Sequence, residues 1–130
     1  MESNDIVVEI GPGRGVVTTV LANLVSEVIA IELDLQLCVY LDDIFNTLPN
    51  VNVINKDARE IDPKTLVGDE PYKVIGNLPY YAALPIIRGF LEANHKPELM
   101  VVMVQKEVAQ NMRACSGQMN LLSIAVQLFS

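Results

Sequence analysis

Short apolar runs of β type alternate along the chain with segments whose apolar residues recur at helical spacing, and few folds accept that alternation. Ile6–Ile10 (IVVEI) is a strand ending at Gly11, and apolar positions 16, 17, 20, 21, 24 and 25 trace a helix. Residues 27–31 (EVIAI) form a second strand. Leu37, Cys38, Leu41, Ile44, Phe45 and Leu48 mark one face of the next helix, which Pro49-Asn50 stops. Val51–Asn55 and residues 73–76 are a third and fourth strand, joined by a polar connection rich in Asp, Gly and Pro. Residues 85–92 are helical, 99–104 (LMVVMV) form a fifth strand, and 106–113 and 120–128 read as a further helix or two. Strands this apolar are buried on both faces, as in parallel sheets covered by helices. Right-handed crossovers then lead to a doubly wound α/β sheet in the order 3-2-1-4-5, with helices on both faces.

With 130 residues, the chain is long enough for one domain with a real core, residues 1–130. Its 51% hydrophobic and 19% charged residues exclude intrinsic disorder. The longest uncharged apolar runs fall far short of the roughly 20 residues of a membrane span, and the acidic start leads straight into a strand, so no signal peptide is expected. The net charge of −7 argues against a surface built mainly to grip a phosphate backbone. Cys38 and Cys115 belong to no CxxC pair and His95 is the sole histidine, so neither a zinc site nor a Ser-His-Asp machine is expected. His95 falls in a polar helix-to-strand turn, with a solvated role expected, and Cys38 on an apolar helix stripe. Unpaired thiols suggest a reducing cytoplasm.

In an open parallel sheet, ligands bind beyond the carboxyl ends of the strands, beside strand one. There the sequence has Glu9-Ile10-Gly11-Pro12-Gly13-Arg14-Gly15, whose glycines allow a tight turn and close approach of a ligand. The dinucleotide fingerprint GxGxxG would need glycine at position 16, where Val16 stands. Glu32, ending strand two, could accept hydrogen bonds from both ribose hydroxyls of NAD or of S-adenosylmethionine alike. Asp57, after strand three, is a helix cap, a surface acid, or an acceptor for an adenine amine whose ring the Ala58 amide would meet. Gly76-Asn77-Leu78-Pro79-Tyr80-Tyr81 follows strand four, opposite the glycine loop. A plain turn would use these residue types, with Pro79 fixing φ. A more specific use exists for an adenine amine, a poor nucleophile whose lone pair is delocalised into the ring. The Asn77 side-chain oxygen and the Leu78 carbonyl could hold both its hydrogens, while Tyr80 stacks on the base.

Taken together, Val8–Gly15, Ile31-Glu32-Leu33-Asp34, Lys56-Asp57-Ala58, Gly76–Tyr81 and Gln105-Lys106-Glu107-Val108 resemble, in order and spacing, the ribosomal RNA adenine dimethyltransferases. The strings at 77–80 and 105–107 are more similar to the KsgA-like branch, which dimethylates two adjacent adenines of small-subunit rRNA, than to the Erm branch, which acts on large-subunit rRNA. The resemblance implies a Rossmann-like S-adenosylmethionine-dependent methyltransferase core. Gly11, Gly13 and the nearby backbone would hold the methionine part, Glu32 the ribose, and Leu33 the adenine face, with Glu9 and Asn77 also among the cofactor-binding residues. Asp57 and Ala58 would read the adenine edge. Asn77, Leu78, Pro79 and Tyr80 would hold the target base. Lys106 could touch RNA or simply be a surface lysine. The implied partner is small-subunit rRNA or its precursor particle, with no membrane.

Members of that family carry an upstream segment that closes over the site and a C-terminal helical domain, so the resemblance implies a core truncated at both ends. Strand five would then be an open sheet edge, and self-association is expected there. The competing readings are a cofactor-binding remnant without turnover and an NAD-dependent oxidoreductase, the latter opposed by Val16 and the Asn77–Tyr80 string.

Overall fold

A computed structural model describes residues 2–79, 81–105 and 123–129. The strands are β1 (Ile6–Ile10), β2 (Glu27–Glu32), β3 (Val51–Asn55), β4 (Lys73–Asn77), β5 (Leu99–Gln105) and β6 (Ser123–Phe129). The helices are α1 (Val16–Leu24), α2 (Leu35–Ile44), α3 (Pro63–Val67) and α4 (Ala83–Glu92), with a 3-10 turn at Ala58–Glu60. All strand pairs are parallel, in the order β3-β2-β1-β4-β5-β6. The order 3-2-1-4-5 therefore holds, with one strand added.

Alternation along β1 divides the core between the two faces of the sheet. Val8 and Ile10 join Val74, Met100 and Val102 under Ile86, Ile87 and Phe90 of α4. Val7 joins Val28 under Leu21 of α1 and the following Val25. Full burial of a valine or isoleucine contributes about 1.5–3 kcal/mol. Glu9 lies on the Val7 face, beneath α1, with Ala30 and Ile75 as its register neighbours. Asp34 caps α2 by accepting from the amides of Gln36 and Leu37, and Asp62 with Pro63 starts α3. Where α1 begins, Gly15 has φ +87°, and a Cβ there would stand 2.8 Å from the Phe45 ring. Glycine is thus required for α1 and the end of α2 to meet.

Several expectations change. Of the helix expected over 120–128, the described part is a strand instead: Ser123–Phe129 pairs with β5, and 120–122 lie outside the described residues. In Ile124, Val126 and Leu128 the period of two, with β-branched residues, outweighs helical spacing. Strand five is consequently an interior strand, and the expected self-association through its open edge loses its premise. The segment 106–113 lies outside the described residues, as does Cys115. The apolar stripe of α1 is also turned: Val16, Val17, Val20 and Leu24 are exposed, while Thr18 and Leu21 are buried. With valines on its exposed side and Thr18 on its buried side, the apolar pattern of α1 could not fix its orientation. The connection between β3 and β4 contains the 3-10 turn and α3. His95 is half-buried rather than solvated. Its Nε2 lies 2.6 Å from the Glu70 carbonyl, its ring packs on Tyr72, and its carbonyl accepts from the Tyr72 hydroxyl at 2.7 Å. Cys38 is buried, and its thiol donates to the Glu32 carbonyl at 3.3 Å.

Candidate functional site at the carboxyl ends of the strands

The loop after β1 folds back on both neighbouring strands. The Gly11 amide donates to the Ile31 carbonyl at 3.0 Å, and the Gly15 amide closes a turn on the Pro12 carbonyl at 2.9 Å. Gly11 has φ +68°, and a Cβ there would meet the Asn77 carbonyl at 3.0 Å. Only glycine lets the end of β1 come this close to the end of β4. Gly13, at φ +58°, would have nothing within 4 Å of an added Cβ, so its outer side is open space.

Two cavities open on this loop. The larger, about 440 Å³, is lined by Gly11, Glu32, Leu33, Asp57, Ala58 and Pro79, together with Ile10, Leu37, Arg59, Tyr81 and Ile86. The smaller, about 190 Å³, is lined by Glu9, Gly11, Gly13, Arg14, Val16, Asn77 and Met103. Gly11 borders both. Among the described residues, every site residue singled out in the sequence except Leu78 borders one cavity or the other. Tyr80 and Lys106 lie outside the described residues.

Glu32 is held before any ligand arrives. One carboxylate oxygen accepts from the Gly13 amide at 3.3 Å and the other from the Asp34 amide at 3.1 Å. Its carbonyl accepts from Asn55 Nδ2 at 3.0 Å. A carboxylate fixed in this way keeps lone pairs for neighbouring hydroxyls at little ordering cost. Leu33 stands exposed on the wall of the larger cavity.

Asp57 does two of the jobs open to it. Its Oδ1 caps the 3-10 turn by accepting from the Arg59 amide at 2.9 Å, and Oδ2 pairs with the Arg59 guanidinium at 2.6 Å. That guanidinium holds the Asp57 carboxyl below its ordinary range. Arg59 also lies over the Tyr81 ring, 5.9 Å from the centroid. Arg59 and Tyr81 thus form a rim that the sequence reading missed. The signal was local: a cation two residues after the acid, and an aromatic after Tyr80.

On β4, Asn77 shares a face with Ile75 and with Glu9 across the register, and it borders the smaller cavity. Leu78 buries its side chain in the core and donates its amide to the Met103 carbonyl at 3.0 Å. The Pro79 carbonyl accepts from the Ala82 amide at 3.1 Å, closing the turn into α4. Beneath the loop, Glu9 is 4% exposed, and the fully buried Thr18 donates its hydroxyl to Glu9 Oε1. Burial pushes the Glu9 carboxyl up, and the Thr18 hydrogen bond opposes that shift. Thr18 was also missed, although a threonine on the inward face of an apolar helix signals a buried acceptor. Among the described residues, no cluster of His, Cys, Asp and Glu could hold a metal ion, and no helix is long and apolar enough to cross a membrane.

The family described as ribosomal RNA adenine dimethylase matches residues 1–130. "Ribosomal RNA small subunit methyltransferase A" of Dehalococcoides mccartyi strain 195 is 46% identical over 130 residues, covering 99% of this chain and 45% of the relative. Its namesake from Alkaliphilus metalliredigens is 42% identical over 135 residues, covering 99% and 47%. The chain thus spans about half the length of the curated relatives it matches. Among solved structures, the 23S rRNA methyltransferase ErmE has a TM-score of 0.77 at 29% identity, covering 90% of this chain and 46% of that one. A dimethyladenosine transferase from Plasmodium falciparum has a TM-score of 0.74 at 29% identity, covering 87% and 40%.

Proposed function

Because the chain belongs to the ribosomal RNA adenine dimethylase family, we propose that it forms the S-adenosylmethionine-binding core of an enzyme that dimethylates the exocyclic amine of adenines in small-subunit rRNA. Relatives named for the small subunit, at 42–46% identity, favour that substrate over the large-subunit rRNA of the ErmE-like alternative at 29%. The residues present fit the cofactor. The open side of Gly13 and the positive φ of Gly11 and Gly13 leave room for a ligand against the backbone. Glu32 offers a fixed carboxylate to a ribose, and Leu33 an apolar wall to an adenine. Asp57 and Ala58 stand at the edge of the same cavity, and Glu9 borders the smaller one that would take the methionine part.

S-adenosylmethionine supplies a methyl group already activated on a sulfonium, so the remaining task is alignment. The observation that carries this reading is the position of Asn77. It ends β4 beside the glycine loop, across which Gly11 packs on its carbonyl. The Asn77 side-chain oxygen and the Leu78 carbonyl would accept both hydrogens of the target amine and favour a pyramidal nitrogen with its lone pair free. The tie from Leu78 to Met103 and the turn closed by Pro79 hold those acceptors in place. Tyr80 would stack on the extruded base. The partner is small-subunit rRNA or its precursor particle, in the cytoplasm.

The test is methyl transfer to small-subunit rRNA, read by mass spectrometry of the digested nucleosides. Asn77→Ala should nearly abolish dimethyladenosine while leaving S-adenosylmethionine affinity close to wild type, because its oxygen matters most in the transition state. Tyr80→Phe should be mild, and Tyr80→Ala should weaken base capture by about 1–3 kcal/mol. Full activity in Asn77→Ala would overturn the assignment. Cofactor binding without any transfer by the wild type would favour the remnant reading.

A further inference from the structure

Thr18 takes no part in the chemistry described above, yet its setting is unusual. The first turns of α1 carry apolar Val16, Val17, Val20 and Leu21 and an exposed Thr19 whose hydroxyl donates to the Gly15 carbonyl, and Thr18 is the polar position turned fully into the protein. A hydroxyl buried there costs stability unless it finds a partner. Its partner is Glu9 Oε1, on the strand below. Glu9 is itself almost wholly buried, and it borders the smaller cavity with Gly13 and Asn77.

The surroundings of Glu9 make this donor decisive. In register, β2 and β4 set the apolar Ala30 and Ile75 directly beside it, and the polar residue those strands place on the same cavity is Asn77, two residues beyond Ile75. From the loop, Arg14 is the charged side chain bordering the same cavity, and its guanidinium lies 5.7 Å from the centroid of the Tyr40 ring. Thr18 comes from α1. Among the described residues, Thr18 fixes one oxygen of this carboxylate, which leaves the other to face a cation in the cavity.

We propose that Thr18 is a positioning residue for cofactor binding: its hydroxyl holds the Glu9 carboxylate in the orientation that receives the α-ammonium group of S-adenosylmethionine. This rests on the reading of the two cavities as the cofactor site. It divides the work between them, with Thr18 and Glu9 acting on the amino-acid end alone and Glu32 on the nucleoside.

Calorimetric titration separates these claims, with two probes: S-adenosylmethionine, and methylthioadenosine, which carries the nucleoside but no amino-acid end. Thr18→Val keeps the shape and removes the donor. It should weaken S-adenosylmethionine binding about tenfold or more at neutral pH, the scale of one hydrogen bond to a charged group. It should leave methylthioadenosine unchanged. The acid side of the affinity–pH profile should also move to higher pH, because burial then acts on Glu9 without the opposing hydrogen bond. Thr18→Ser should restore wild-type affinity and profile. Glu9→Gln, which keeps the size and still accepts from Thr18, should lose S-adenosylmethionine affinity alone and flatten the profile. Equal loss of both probes in Thr18→Val, or no loss of either, would overturn the role of Thr18. Should Thr18→Val fail to fold, Glu9→Gln decides, since unchanged S-adenosylmethionine affinity there removes the group that Thr18 would position. Failure of wild type to bind either probe would instead overturn the cofactor site itself.

Discussion

Replacing Glu32 with alanine should weaken S-adenosylmethionine binding far more than it weakens the fold. The carboxylate sits at the end of β2 with 9% exposure, set by the Gly13 and Asp34 amides. The Asn55 side chain and the Cys38 thiol fix its backbone carbonyl from below. Those last two contacts use main-chain atoms and survive the substitution, so the strand end stays in place. The ligand would lose hydrogen bonds from its ribose to an ionised acceptor, a change of about 1.5–3 kcal/mol, or roughly 10- to 140-fold in Kd. Glu32→Gln should fall between wild type and alanine, because its amide group turns a donor toward one of the two backbone N–H groups. Glu27, at the other end of the same strand, provides the control. Its carboxylate accepts from Asn52 Nδ2 at 3.0 Å, roughly 16 Å away along the strand, and Glu27→Ala should leave Kd unchanged. Isothermal titration with a melting curve for each variant is the assay. Unaltered affinity in Glu32→Ala, with a wild-type melting temperature, would refute the ribose assignment.

Gly15→Ala should destabilise the fold by about 2–4 kcal/mol, combining a left-handed φ with a Cβ driven against Phe45; denaturant titration measures it. Asp57→Ala should weaken cofactor binding by about 1.5–3 kcal/mol, whereas an analogue carrying hypoxanthine in place of adenine should bind both proteins alike by calorimetry. The Asp5 carboxyl lies below its ordinary range, first through the Glu2 amide and then through Lys73. A depressed carboxyl contributes stability above its unfolded pKa and loses it as pH falls through the folded value. Asp5→Asn should therefore be less stable than wild type at neutral pH and converge with it in acid, as followed by melting temperature against pH.

The strands that position the site were legible because burial on both faces left them nearly all apolar, as in Ile6–Ile10 and Leu99–Gln105. The glycine loop, Glu32 and Asn77 were legible for a related reason: each interrupts an apolar strand end where a parallel sheet keeps its ligands. Ser123–Phe129 was missed because alternating and helical apolar spacing overlap over so short a run. The orientation of α1 was hidden because valines and Leu24 stand on its exposed side while a threonine is buried, so the apolar stripe points the wrong way. His95 depended on a contact with Tyr72 that lies 23 residues away in sequence. Thr18 was missed because it acts through Glu9, nine residues away, which only the folded chain sets beneath it, whereas Arg59 stands two residues after Asp57 and was locally legible.

The most direct test of the central claim is a crystal structure of the protein soaked with S-adenosylhomocysteine, the demethylated product. The expected electron density places the ribose hydroxyls on Glu32, the adenine against Leu33 with its edge at Asp57 and Ala58, and the amino-acid end beside Glu9 and Gly13. The sulfur should point toward Asn77. Density for the nucleoside outside the larger cavity, or a sulfur turned away from Asn77, would contradict the proposed site and the methyl transfer built on it.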